Sequence, residues 1–180
     1  YTYNPADIII RENLIEHIGS LPMVAIELYP YIDNPEVDLG RALTMLAIHD
    51  IGELTVGDVN TFVKSNDDKE KNAEMDAALE LLHPSFHPLY MEVEGKTSIT
   101  GQFAKSIDKI APDILDYMVP VEITVERFKH FVGIGPEDMV ELIIKHKRPY
   151  MLWNPFLTEF HTMLVDKFKE KLDVYIKENN

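Results

Sequence analysis

Leu39, Ala42, Leu43, Leu46 and Ala47 recur at helical spacing and run directly into His49-Asp50. The repeat predicts a helix with one buried face, and it puts an imidazole and a carboxylate near the C-terminal end of that helix. Two such groups at the end of an apolar helix need a partner inside the protein, because burying either one uncompensated is costly. A divalent metal meets the need: it neutralises the carboxylate and uses the imidazole lone pair. The chain continues Ile51-Gly52-Glu53-Leu54-Thr55-Val56-Gly57-Asp58 and adds two more carboxylates. Glu53 follows His49 by four and Asp50 by three, so it shares their face if the helix persists. Asp58 comes after Gly57, which permits a tight turn back. A His-Asp dipeptide alone would equally suit an exposed helix end, with the imidazole balancing the dipole. Acids concentrated around a single histidine are what favour a cation.

Punctuation elsewhere reads as helix starts. Asn13 with Glu16 three residues later forms a capping box, opening a helix towards Tyr29 with His17 in its first turn. Pro22 falls inside that segment and predicts a kink or a break. Asn4-Pro5 and Asn34-Pro35 each place a capping residue before a proline, and the second is expected to open the helix bearing His49. Further helices are expected from Asp67-Asp68 to about Leu82, from Ser98 to about Ala111, from Gly135-Pro136-Glu137 to about Lys147, and from Asn154-Pro155 to about Lys177. Val119 to Val125 is the one strand-like alternation, and it is short. The expected fold is all-α, one helical domain over residues 1–180 without repeats or linkers.

Charge narrows the function. With 17 basic and 31 acidic residues the formal net charge is −14, which repels a long nucleic acid unless a basic groove is built locally. The richest basic stretch, Lys145-His146-Lys147-Arg148, is short and reads as a helix C-terminus balanced against its dipole. A small anionic substrate remains compatible if a metal supplies the positive charge. Cysteine is absent, which excludes a thiolate zinc site and a disulfide framework. No apolar run is long enough to span a bilayer, and no charged-then-apolar leader is visible, so the cytoplasm is the expected compartment.

A second apolar helix carries Asp108. Its neighbours Phe103, Ala104, Ile107, Ile110 and Ala111 repeat at helical spacing. His17, His49-Asp50 and Asp108, in this order and on different helices, resemble the signature of the HD-domain metal-dependent phosphohydrolases. The likeness is greatest to the small bacterial 5′-deoxynucleotidase-like branch. Glu12-Asn13-Leu14-Ile15-Glu16-His17, His49 to Asp58, and Phe103-Ala104-Lys105-Ser106-Ile107-Asp108-Lys109 match that branch's three motifs. The match spans about residues 13–112, with the helices of about 119–180 expected to pack on that part.

The resemblance implies a helical bundle of the HD type, with one divalent transition metal per chain (Mn, Co, Zn, Fe or Ni) held by His17, His49, Asp50 and Asp108. It assigns proton handling to Glu53 and Asp58. It implies hydrolysis of a small phosphorylated metabolite such as a nucleoside 5′-monophosphate, no long nucleic acid or membrane partner, and a homodimer as a possible assembly. Arg11 and Lys109 are the candidates for substrate contact. The chain also departs from the branch: Ile18 stands where Ser or Thr follows the first histidine, Ser98-Ile99-Thr100 stands near the usual Pro-Glu-Ala, and no arginine precedes Arg11. These departures define the alternative, a metal- or nucleotide-binding regulatory module of the same fold with weakened catalysis.

Other histidines are read more plainly. His83-Pro84 and His87-Pro88 are expected to flank a proline-rich loop outside the site, although binuclear relatives place extra ligands in this interval. His130, His146 and His161 fall in amphipathic helical patterns and read as surface or core residues. Trp153 reads as a packing anchor.

Overall fold

A computed structural model of the protein describes residues 13–57, 62 and 68–179. Among these residues all regular structure is helical. The helices are α1 (Leu14–Leu28), α2 (Leu39–Ile48), α3 (Glu53–Val56), α4 (Asp68–Leu81), α5 (His87–Gly95), α6 (Ile99–Met118), α7 (Val121–Phe131), α8 (Pro136–Lys147) and α9 (Pro155–Asn179). They belong to two compact units that divide between Asp108 and Lys109, so α6 contributes to both.

The unit built on α1 to the first half of α6 holds the motifs. Asn13 and Glu16 cap α1 reciprocally, each side chain 3.0 Å from the other's backbone N–H. The helix runs through Pro22 without breaking, with Leu21, Ala25 and Leu28 buried on either side of it. Burial of that face outweighs the one hydrogen bond proline removes. α2 packs on α1 and α5, burying Ala42, Met45 and Leu46. Its start lies later than Asn34-Pro35 suggested. Asp38 is the N-cap and accepts from the Arg41 backbone, whereas Asn34 closes a turn by accepting from Glu36. Both asparagine and aspartate can make either motif, and spacing alone did not separate them.

Two side-chain links tie these helices to α5 and α6. The Arg41 guanidinium donates twice to Glu92, which also accepts from the Ser98 hydroxyl at 2.6 Å. Thr100 donates to the Glu36 carbonyl and accepts from the Asp38 backbone.

The expected loop after α4 is helical. Pro84 opens a 3₁₀ turn over Pro84–Phe86, and His87-Pro88 starts α5. Proline in the first helical turn is a start signal here rather than a breaker.

The second unit contains Phe62, the rest of α6 and α7 to α9. Val119–Val125 is not a strand. Val121, Val125 and Phe128 follow helical spacing, and α7 buries Thr124, Val125 and Phe128. Valine's strand preference gives way to that packing. Val125, Phe128, Met139, Ile143, Val165, Phe168 and Leu172 form one core. α6 also extends past Ala111, through Pro112, to Met118. Lys145, His146 and Lys147 occupy the last turn of α8 as expected, but Lys147 is turned inward and ion-paired with Asp113. His161 is fully buried, its Nε2 3.4 Å from Asp113.

No helix among the described residues is long and apolar enough to cross a membrane.

Candidate metal centre

His17 lies in the first turn of α1, His49 is the C-cap of α2, Asp50 follows it, and Asp108 lies mid-way along α6. Each position is fixed by the helix that carries it: the Asn13 cap sets His17, the buried face of α2 sets His49, and Phe103, Ala104 and Ile107 set Asp108. One donor atom from each of the four residues lies within 4.8 Å of all the others.

The distances are short, and two of the four residues are buried while His17 and Asp50 are partly exposed. His49 Nε2 is 3.0 Å from Asp50 Oδ2 and 3.6 Å from Asp108 Oδ1. His17 Nε2 is 3.4 Å from Asp108 Oδ1 and 3.6 Å from Asp50 Oδ2. His49 is completely buried and Asp108 is 6 % exposed. The two imidazoles tilt against each other with centroids 5.8 Å apart.

His49 fixes the polarity of the cluster. Its Nδ1 is 3.0 Å from the Leu46 carbonyl oxygen, which can only accept. Nδ1 therefore carries the proton, and Nε2 of the neutral ring turns a lone pair towards two carboxylates. Nε2 is buried and has no properly directed hydrogen-bond partner among the described residues. Lone pairs facing carboxylates repel unless a cation stands between them. A proton can serve: burial opposes the charged imidazole, but Asp50 and Asp108 outweigh it and push the group up to about 9. Burial likewise pushes Asp50 up, and His49 more than reverses that, leaving it below the usual carboxylate range.

A divalent ion also fits the same place. Bonds of about 2.0–2.2 Å to two imidazole nitrogens and two carboxylate oxygens suit a first-row divalent ion. Such bonds hold tetrahedral donors about 3.4 Å apart, close to the separations observed.

Glu53 reaches the neighbourhood by a route different from simple helix continuation. After Ile48 the chain tightens: Ile51 N–H bonds to Ile48, Glu53 to Asp50 and Leu54 to Ile51, each three residues back. α3 then begins at Glu53 and ends at Gly57, whose φ of +81° makes the turn that glycine allows. Oxygens of Glu53, Asp50 and Glu74 lie within 4.8 Å of one another. Glu74 was missed by sequence reasoning, since α4 showed only acidic amphipathic character. Gly52 was missed as well. A Cβ there would overlap the Glu74 backbone carbonyl and approach Ala78 Cβ to 3.3 Å, so α4 and the turn meet at a glycine.

Asp58 and Arg11 lie outside the described residues. Lys109 follows Asp108 on α6, its ammonium 5.9 Å from the Tyr150 ring centroid. His83 and His87 make local contacts. His83 caps the turn at Ser85, and His87 Nε2 donates to the Leu82 carbonyl at 3.0 Å.

No curated protein matches. A crystal structure described as a predicted metal-dependent phosphohydrolase from Magnetospirillum magnetotacticum MS-1 superposes with a TM-score of 0.63 at 24 % identity. The match covers 89 % of this chain and 81 % of that one. The HD-domain family model matches residues 3–129, an interval that contains all four clustered donors. With more than two thirds of its length covered by that model, the chain belongs to the HD-domain family.

Proposed function

We propose that the protein is a metal-dependent phosphohydrolase that cleaves a small phosphomonoester, with a nucleoside 5′-monophosphate as the substrate to try first. The observation that carries the reading is the buried His49 ring, locked by Leu46 so that Nε2 faces Asp50 and Asp108. The superposed phosphohydrolase lends support to the reaction class, and the resemblance to the deoxynucleotidase-like motifs suggests the substrate.

In this reading His17, His49, Asp50 and Asp108 hold one divalent ion per chain. When bound, the ion supplies Lewis acidity towards water and offsets charge on a phosphoryl oxygen. Glu53, beside Asp50 and outside the four-donor set, accepts the proton of the attacking water. Asp58 assists that transfer. As the phosphorus–oxygen bond breaks, the leaving alkoxide takes the proton that Glu53 accepted from water, giving the alcohol and inorganic phosphate.

The test is a screen of purified protein, supplied in turn with Mn²⁺, Co²⁺, Zn²⁺, Fe²⁺ and Ni²⁺, against nucleoside monophosphates and sugar phosphates. Chelator-sensitive phosphate release is expected. Metal binding without turnover on any phosphomonoester would point to the regulatory module, and no metal binding would end the reading.

A further inference from the structure

α1 buries one face and exposes another that is almost as apolar. Leu21, Ala25 and Leu28 are buried, while Ile15, Met23 and Ile26 on the other side are 73 %, 71 % and 49 % exposed. With 3.6 residues per turn, Ile15, Gly19, Pro22, Met23 and Ile26 fall within one arc of about 100°. No charged residue interrupts that arc, although the chain carries a formal net charge of −14. A continuous exposed apolar ridge marks a contact surface, whereas scattered exposed apolar side chains do not.

Gly19 stands in the middle of the ridge. A glycine inside a helix lowers its stability relative to alanine. Nothing within the chain calls for one here. Gly19 is not among the residues with positive φ, and a Cβ built on it would meet nothing within 4 Å outside its own helix backbone. An approach from outside explains the missing side chain, because the separation of two packed helices is set by the side chains at their crossing.

We propose that the α1 ridge is the contact through which two copies of this chain pair, antiparallel, about a twofold axis at Gly19. The ridge is self-complementary about that point. Ile15 and Met23 stand four residues to either side of Gly19, so each copy's Ile15 lies against the other's Met23. Glu16 and Glu27 border the ridge, and neither meets its own copy in this register. Acidic copies repel one another over most of their surface, which confines self-contact to a face without charge. That face is about 22 Å long. One such helix face supplies less than the roughly 800 Å² per partner of a standard interface, so the pairing is weak and reversible.

Sedimentation equilibrium from micromolar to millimolar protein tests this. The average mass should climb from one chain towards two, and added salt should favour the dimer by screening the repulsion between acidic copies. Gly19→Leu fills the crossing point. It should keep or raise Tm, since leucine is the better helix former, while weakening the dimer by at least roughly tenfold. Ile15→Lys and Met23→Glu should each weaken it similarly. The double variant should recover most of the loss, because each lysine then faces a glutamate of the other copy. A mass that stays at one chain at every concentration overturns the proposal. So does a dimer that Gly19→Leu leaves intact, or one that salt dissolves. Loss in both single variants without recovery in the double overturns the axis at Gly19.

Discussion

Glu53→Gln keeps the shape of the side chain while taking away its ability to accept a proton. Glu53 shares a cluster with Asp50 and Glu74 but is not among the four convergent donors. The variant should bind metal like the parent, while turnover falls roughly 10²–10⁴-fold, the range of a lost acid–base group. Metal content and kcat measured on one preparation separate the roles: unchanged kcat removes Glu53 from catalysis, and lost metal makes it a ligand. Asp50→Ala should behave differently. It removes the carboxylate nearest His49 Nε2, so elemental analysis should find metal at background, and full occupancy would refute the assignment.

At the scale of elements, the turn between α2 and α4 is the most constrained. Gly52→Ala forces a methyl group into the Glu74 carbonyl and against Ala78. Both obstacles belong to α4, so the helix must shift, at a cost of about 1–3 kcal/mol. Urea unfolding should show that loss, with turnover falling as α4 shifts against the turn that carries Glu53. The clamp from α2 to α5 makes a pH-dependent contribution. Arg41 hydrogen-bonds Glu92 and holds its carboxyl below the usual range. A depressed carboxyl contributes stability that is present above 4.5 and is lost as pH falls through the lowered value. The Tm gap between parent and Glu92→Gln should therefore be present at pH 7 and close as pH falls below 4.5 through the lowered value. A gap independent of pH would show that the clamp works by packing alone.

What could be read from sequence follows the same division. Caps and apolar spacing located α1, α8 and α9, because each depends on contacts within a few residues, whereas the set of four donors came from the resemblance to a known family. The Asp38 start of α2, the helical nature of α7 and the continuation of α6 through Pro112 depend on what each segment packs against. The approach of Glu74 to Gly52 was invisible for a stronger reason: it joins two segments separated in sequence, and no local pattern marks Glu74.

At the scale of the molecule, the cluster joins α1, the end of α2 and the first half of α6 across 91 residues of sequence, from His17 to Asp108. Without an ion, two carboxylates and two imidazoles hold these helices together only as far as protons bridge them. A ligand that binds the folded state alone stabilises it by RT ln(1 + [L]/Kd), about 2.7 kcal/mol at a hundredfold excess over Kd. Chelation should therefore lower Tm, and free Mn²⁺ should raise it in proportion to the logarithm of its concentration. The change should also be local. Hydrogen exchange measured with and without chelator should show protection lost first in α1 from Leu14, in the His49–Glu53 turn, and in α6 around Asp108. Those backbones carry the donors, and their opening separates the charges the ion had joined. An exchange pattern that chelator leaves unchanged in these segments would mean the helices are held by their apolar faces alone, with the donors converging at no energetic consequence to the fold.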